Sequence, residues 1–187
     1  MDITEVFYPT HRTEWRAWLE THHRTKTEVW IQTYLKASGY PSVSYDELVE
    51  ECLCFGWIDG AVKKYDELSK VQRITPRRKK TFLSELNRQR VWKLQRLGLM
   101  TPAGIEPIHD QIGSPDDPLD IPDWVLTQLQ ADARVWETFQ RFPHNYQRLK
   151  IGWIAEIRGD SRREEAKKRL DYLIKMTGLG KMYGTIP

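Results

Sequence analysis

Between Cys54 and Asn87 the chain gathers the groups most able to do chemistry: Trp57, Asp59, Arg73, Arg77, Arg78, Ser84 and Asn87. Asp59 is flanked by Gly56 and Gly60, and glycine in a strand lets a ligand or another backbone come close. An aspartate in water titrates near pH ~3.9 and is a poor base at neutrality, so general acid-base work would need a strongly perturbed site. The ordinary fate of such a group is an ion pair. Arg73, Arg77 or Arg78 is the expected partner, with a two-pronged bond that fixes two segments together. The remaining guanidinium groups offer the same fork to a phosphate or carboxylate. Ser84 and Asn87 share a face at the start of an expected helix, where the N-terminus favours an anion. Alternatively, Ser84 or Thr81 simply caps that helix. Trp57 can stack on a base or sugar, although in a chain with eight Trp a core ring is the commoner role.

Other chemistries have little to stand on. His22 and His23 adjoin a helix end without further ligands at metal spacing, and read as core or edge histidines. Cys52 and Cys54 are the only cysteines. Two residues apart on a helix they point different ways, so they read as buried thiols in a reducing compartment. No HExxH, GxSxG, GxGxxG or P-loop is present. No metal site and no cofactor are expected.

Several elements must position these residues. Trp15, Trp18, Leu19 and His22 recur at helical spacing over 13–23. Residues 28–36 read as a strand with both faces partly covered. Ser44 and Glu47 form a capping box for a helix that Gly56 ends. Residues 57–64 and 70–75 read as a hairpin closed by Pro76, and a long helix follows over about 82–97. Thr101-Pro102 starts a short helix, and further helices fill the rest, with Ser161 and Glu164 capping the last. The expected fold class is α+β: a small antiparallel sheet of about three strands with packed helices, then a helical subdomain. The expected division is 1–113, an acidic Pro- and Asp-rich linker over 114–120, and 121–187.

The net charge of +3 is too small for a whole-molecule nucleic-acid or membrane argument. No apolar run approaches the ~18 residues of a span. The N-terminus lacks the basic and apolar regions of a signal peptide, so a cytoplasmic location is expected. Charge is locally uneven. Residues 61–96 hold twelve Lys or Arg against three Asp or Glu, and 101–125 hold six Asp or Glu and no Lys or Arg. Either the acidic stretch neutralises the basic one, or the basic stretch is an anion-binding surface.

Glu14-Trp15-Arg16-Ala17-Trp18-Leu19, Val29-Trp30, the run from Cys54 to Gly60, Thr75-Pro76-Arg77-Arg78 with Ser84 and Asn87, and the run from Met100 to Gly104 together resemble the YdeI/OmpD-associated (OmdA), or bacteriocin-protection, family. The helices from Pro122 to Lys175 look like its C-terminal helical region. The resemblance implies a link to resistance against bacteriocins or antimicrobial peptides, and supplies no catalytic residues. The family has Trp-Ser after the arginines where this chain has Leu83-Ser84, so any stacking by that Trp is lost here.

Three readings stay open. The first is a non-catalytic binding protein that accepts an anionic small molecule, or meets a partner protein, in a cleft between the hairpin and the long helix. Its expected lining is Trp57, Asp59, Arg73, Arg77, Arg78, Ser84 and Asn87. The second is an enzyme with Asp59 as acid or base and an arginine clamp. The third, with the weaker case, is a nucleic-acid binder.

Overall fold

The computed structural model describes residues 2–157, 159 and 162–184. Ser161, expected to cap the last helix, lies outside them. In chain order the elements are β1 (Val6–Phe7), α1 (Arg12–His22), β2 (Val29–Tyr34), α2 (Tyr45–Cys54), β3 (Trp57–Lys64), β4 (Ser69–Pro76), α3 (Glu85–Arg96), α4 (Pro102–Ile105), α5 (Asp123–Gln130), α6 (Ala133–Arg141), α7 (His144–Ala155) and α8 (Arg163–Gly178). The class is α+β, and the C-terminal part is helical.

The chain forms two compact units. The first holds residues 1–82 and 91–112, the second 83–90 and 113–187. Helix α3 therefore gives its first half to the second unit and its second half to the first.

The first unit is built on a four-stranded sheet of order β1-β2-β4-β3. The three expected strands pair antiparallel. A fourth, β1, adds parallel to β2; two residues carry no readable period, which is why the sequence pattern misses it. Helix α1 brings the aromatic part of the core and α2 the aliphatic part. Trp15 is fully buried and its indole N–H donates to the Leu48 carbonyl at 3.2 Å, while Trp18 meets Trp57 edge-on at 5.8 Å. The capping box is present as read: Ser44 accepts from the Glu47 N–H, and the Glu47 carboxylate accepts from the Ser44 N–H. Cys52 and Cys54 are free and buried. Burial pushes both thiols up, Cys54 to about 11.

Charged groups tie the helices of this unit together. Arg12 donates from Nε to Glu51 (2.6 Å) and from Nη1 to Glu50 (2.7 Å), and Arg16 Nη1 reaches Glu51 at 2.9 Å. Lys93 Nζ donates to the other Glu50 oxygen at 2.8 Å. Glu50 is desolvated, which raises its pKa, but the bonds from Lys93 and Arg12 outweigh this and hold it below the usual carboxylate value. A depressed folded-state pKa contributes stability that is present above the unfolded value, ~4.3, and lost as pH falls through the folded one. The denaturation midpoint is therefore expected to be flat above pH ~5 and to drop below pH ~4. The Glu50→Gln variant should show a shallower acid drop than the wild type.

The second unit packs α5–α8 around Val125, Leu129, Phe139, Ile154 and Leu173. Helices α5 and α6 are separated between Gln130 and Ala133, where Asp132 caps α6 by accepting from the Arg134 N–H at 2.8 Å. Its interior also holds an ion pair. Glu85 and Arg148, with side chains 7% and 8% exposed, meet at 3.0 Å. Gly152 makes room for this on α7, since a Cβ there would lie 2.5 Å from the Cβ of Glu85. Among the described residues no helix is long and apolar enough to cross a membrane.

Candidate functional site

The run Phe55-Gly56-Trp57 is a junction at which four pieces of the first unit meet. Gly56 ends α2 with φ +72°, a left-handed conformation that suits glycine. Its carbonyl accepts from the Arg77 N–H at 2.8 Å, which holds the end of β4 beside the start of β3. The carbonyl of Ala103 comes so close to Gly56 that a Cβ there would sit 2.3 Å from it. The Thr101 hydroxyl completes the docking by donating to the Cys54 carbonyl at 2.7 Å, while a Cβ on Gly104 would meet that same oxygen at 2.3 Å. The short helix α4 is thus pressed against the C-terminus of α2 by backbone-to-backbone contact, which only small residues permit.

Between these pieces lies a pocket of ≈ 460 Å³. His23 and Arg24, just past α1, form one wall; Pro102, Ala103, Glu106 and Pro107 form another; Phe55, Gly56, Trp57 and Pro76, with Arg77 and Lys79, complete it. Arg77 is buried, 8% exposed. Its guanidinium donates one hydrogen bond, from Nη1 to the Phe82 carbonyl at 3.3 Å, and forms no ion pair among the described residues. Burial pulls its pKa below the usual arginine range, and the nearby Asp59 opposes that only in part. The His23 Nδ1 lies 2.8 Å from the Leu19 carbonyl, so it carries the proton and leaves Nε2 as an acceptor in the neutral ring.

The residues singled out from the sequence separate into distinct roles. Arg77 and Trp57 line the pocket, although Trp57 is a core ring, 1% exposed, with its indole N–H on the His23 carbonyl at 3.3 Å. Among the described residues Asp59 pairs with no arginine, contrary to the expectation. It accepts from Gln72 (2.8 Å) and the Tyr45 hydroxyl (3.0 Å). The pleat explains this. Asp59 stands opposite Ile74, so Ile74 and Gln72 share its face, while Arg73 projects from the other face and pairs with Glu28. Arg78 is exposed. Ser84 accepts from the Asn87 N–H at 3.3 Å, a capping contact, and the Asn87 Oδ1 accepts from Arg90 at 2.9 Å. Both belong to the second unit.

Residues 7–107 match the family model described as a domain of unknown function (DUF8412). The chain belongs to that family. Residues 118–180 match a second model, described as Bacteriocin-protection, YdeI or OmpD-Associated. The resemblance read from the sequence is thus matched over the C-terminal helices. The motif runs from Glu14 to Gly104 fall within the DUF8412 match. No curated protein and no solved structure matches the chain.

Within the DUF8412 region, reasoning from sequence missed Arg24, Lys79 and Glu106 and treated His23 as an edge residue. The positions of His23 and Arg24 directly after the first helix, and of Glu106 after the Thr-Pro-Ala-Gly run, were the available signals. No group of three or more His, Cys, Asp or Glu able to hold a metal exists among the described residues. Several cations of the basic stretch are already paired: Arg73 with Glu28, Arg88 with Glu85 and Lys93 with Glu50.

Proposed function

We propose that the DUF8412 region is a cytoplasmic binding module for a small anionic molecule, held in the pocket around Arg77. One observation carries this: a buried guanidinium lines a ≈ 460 Å³ pocket without a carboxylate partner among the described residues. A buried charge without its counter-charge is costly to the fold. A phosphate or carboxylate on the free prongs of the fork would supply what the protein does not. Arg24 and Lys79 line the same space and add positive charge, while Glu106 and the ring of His23 give it acceptors. Asp59 is held by Gln72 and Tyr45 and is not among the lining residues, which favours binding over acid-base chemistry by this carboxylate. A volume of this size suits a metabolite rather than a polymer.

The test is a low-salt thermal-shift screen with inorganic phosphate, sugar phosphates, nucleoside monophosphates, dicarboxylates and a short oligonucleotide, on wild type and Arg77→Met. At 100 times its Kd a ligand stabilises the native state by about 2.7 kcal/mol, a readily measured shift. The expected result is that at least one small anion raises the wild-type midpoint and leaves Arg77→Met unmoved. Unliganded Arg77→Met should melt at or above the wild-type midpoint, because it removes an uncompensated charge. Equal responses in both proteins, or no response to any anion, would reject the proposal.

A further inference from the structure

The second unit has a groove of its own, of ≈ 840 Å³, lined mainly by α5 and α8. Part of the lining is apolar. Ala166 and Leu170, one turn apart on α8, are its buried members, and Ile157, just past α7, adds to them. Trp124, at the start of α5, lines the same space and stays 46% exposed. Apolar surface left open and rimmed by polar groups is the mark of a binding groove. The way in is open, since Gln128, Lys167 and Asp171 of the lining are all exposed to solvent. The charges on this side of α8 are unmatched. Elsewhere on the helix they pair one turn apart, Glu164 with Lys168 at 3.1 Å and Glu165 with Arg169 at 3.0 Å. Lys167 and Asp171 have the same spacing, yet among the described residues neither side chain forms an ion pair or hydrogen bond. Arg163, one turn before Lys167, puts a second cation in the lining. The groove therefore has a polarity, with cations toward the start of α8 and a carboxylate further along it.

We infer that this groove binds a straight-chain monocarboxylate of medium length, such as decanoate, with its head at Lys167 and its chain over Ala166, Leu170 and the Trp124 ring. The apolar lining gains from any chain that displaces its water. Lys167 lacks a counter-charge, and a carboxylate supplies one. Asp171 sets the direction, because it repels an anion at its own end of the groove and so disfavours a diacid. From Arg163 to Asp171 the helix rises about 12 Å, at 1.5 Å per residue, which gives the chain two turns of α8 to lie along. The volume lies within the range of small-molecule clefts. This site shares no lining residue with the Arg77 pocket and stands or falls independently of it.

The experiment is calorimetric titration of the full chain at neutral pH and low salt, with hexanoate, octanoate and decanoate kept below micelle formation, and with decanol and decanedioate as controls. Affinity is expected to rise about fourfold for each methylene added, the gain from burying one CH₂. Decanoate should bind about tenfold tighter than decanol or decanedioate, and that advantage should shrink with added salt. Lys167→Glu should weaken decanoate about tenfold, the scale of an exposed ion pair exchanged for a repulsion, and leave decanol unchanged. Trp124→Ala should weaken both. Both positions are exposed, so the two variants should keep the wild-type melting midpoint. Arg77→Met should bind decanoate as the wild type does. The inference is overturned if decanoate does not bind, if chain length has no effect, if Lys167→Glu binds it as tightly as the wild type, or if Arg77→Met abolishes the binding.

Discussion

Arg148→Met is expected to cost the second unit about 3–5 kcal/mol, read as a fall in its denaturation midpoint. The reason is asymmetry. Arg148 and Glu85 are both buried, with Arg148 Nε 3.0 Å from one Glu85 oxygen and Nη2 3.4 Å from the other. Arg148 also donates from Nη1 to the Asp117 carbonyl at 2.9 Å. Removing one member leaves the other charged, dehydrated and under-bonded. Arg148→Met falls toward the lower end of the range, because Glu85 keeps Arg88 at 2.6 Å and Gln89 at 3.2 Å. Glu85→Leu should cost more, since it takes both carboxylate oxygens away from Arg148 and one from Arg88. The double variant, Glu85→Leu with Arg148→Met, should recover most of the loss, because an apolar pair of similar volume needs no compensation. Urea denaturation of the four proteins as a double-mutant cycle measures the coupling. Additive single losses would show that the pair is not a unit.

Gly56→Ala is expected to cost about 2–5 kcal/mol in the first unit. The left-handed backbone at φ +72° charges any L side chain about 1–2 kcal/mol. The rest comes from the new methyl, which would lie 2.3 Å from the Ala103 carbonyl oxygen, a backbone atom that cannot swing aside. Gly39→Ala is the control. It has φ +76° but nothing within 4 Å of the added carbon, so only the backbone part of the cost should appear. Thermal or urea denaturation of both variants separates the two contributions. An equal loss in the two would mean that the approach of α4 to Gly56 carries no stability.

Features set by neighbours along the chain are legible in the amino-acid sequence. The Ser44–Glu47 box marks the start of α2, and the 57–64 strand has its observed limits because Gly56 stops one element and a turn stops the next. Features made by chain segments distant in sequence are less legible. Arg77 stands out by its type and setting, but the pocket it lines is closed by Arg24, just past α1, and by Glu106, which follows the helix α4 that two glycines let settle on α2. The expected Asp59–arginine pairing fails for a reason of parity. Arg73 has the right charge and distance along the strand but the wrong face, and the neutral Gln72 takes the place. The bulge between Asp59 and Val62 adds to the difficulty, since a register shift has no signature in composition.

Helix α3 bears on how far this chain can be regarded as modular. The YdeI/OmpD-associated match covers residues 118–180, yet the compact unit that contains those residues also recruits 83–90 from upstream. Glu85, the buried partner of Arg148, lies in that recruited piece. The boundaries of the matched segment and of the compact unit therefore do not coincide. A gene fusion or truncation that carried only the matched segment would inherit an arginine without this counter-ion. The buried charge of the C-terminal helices is thus balanced from a stretch of sequence that the second match does not reach.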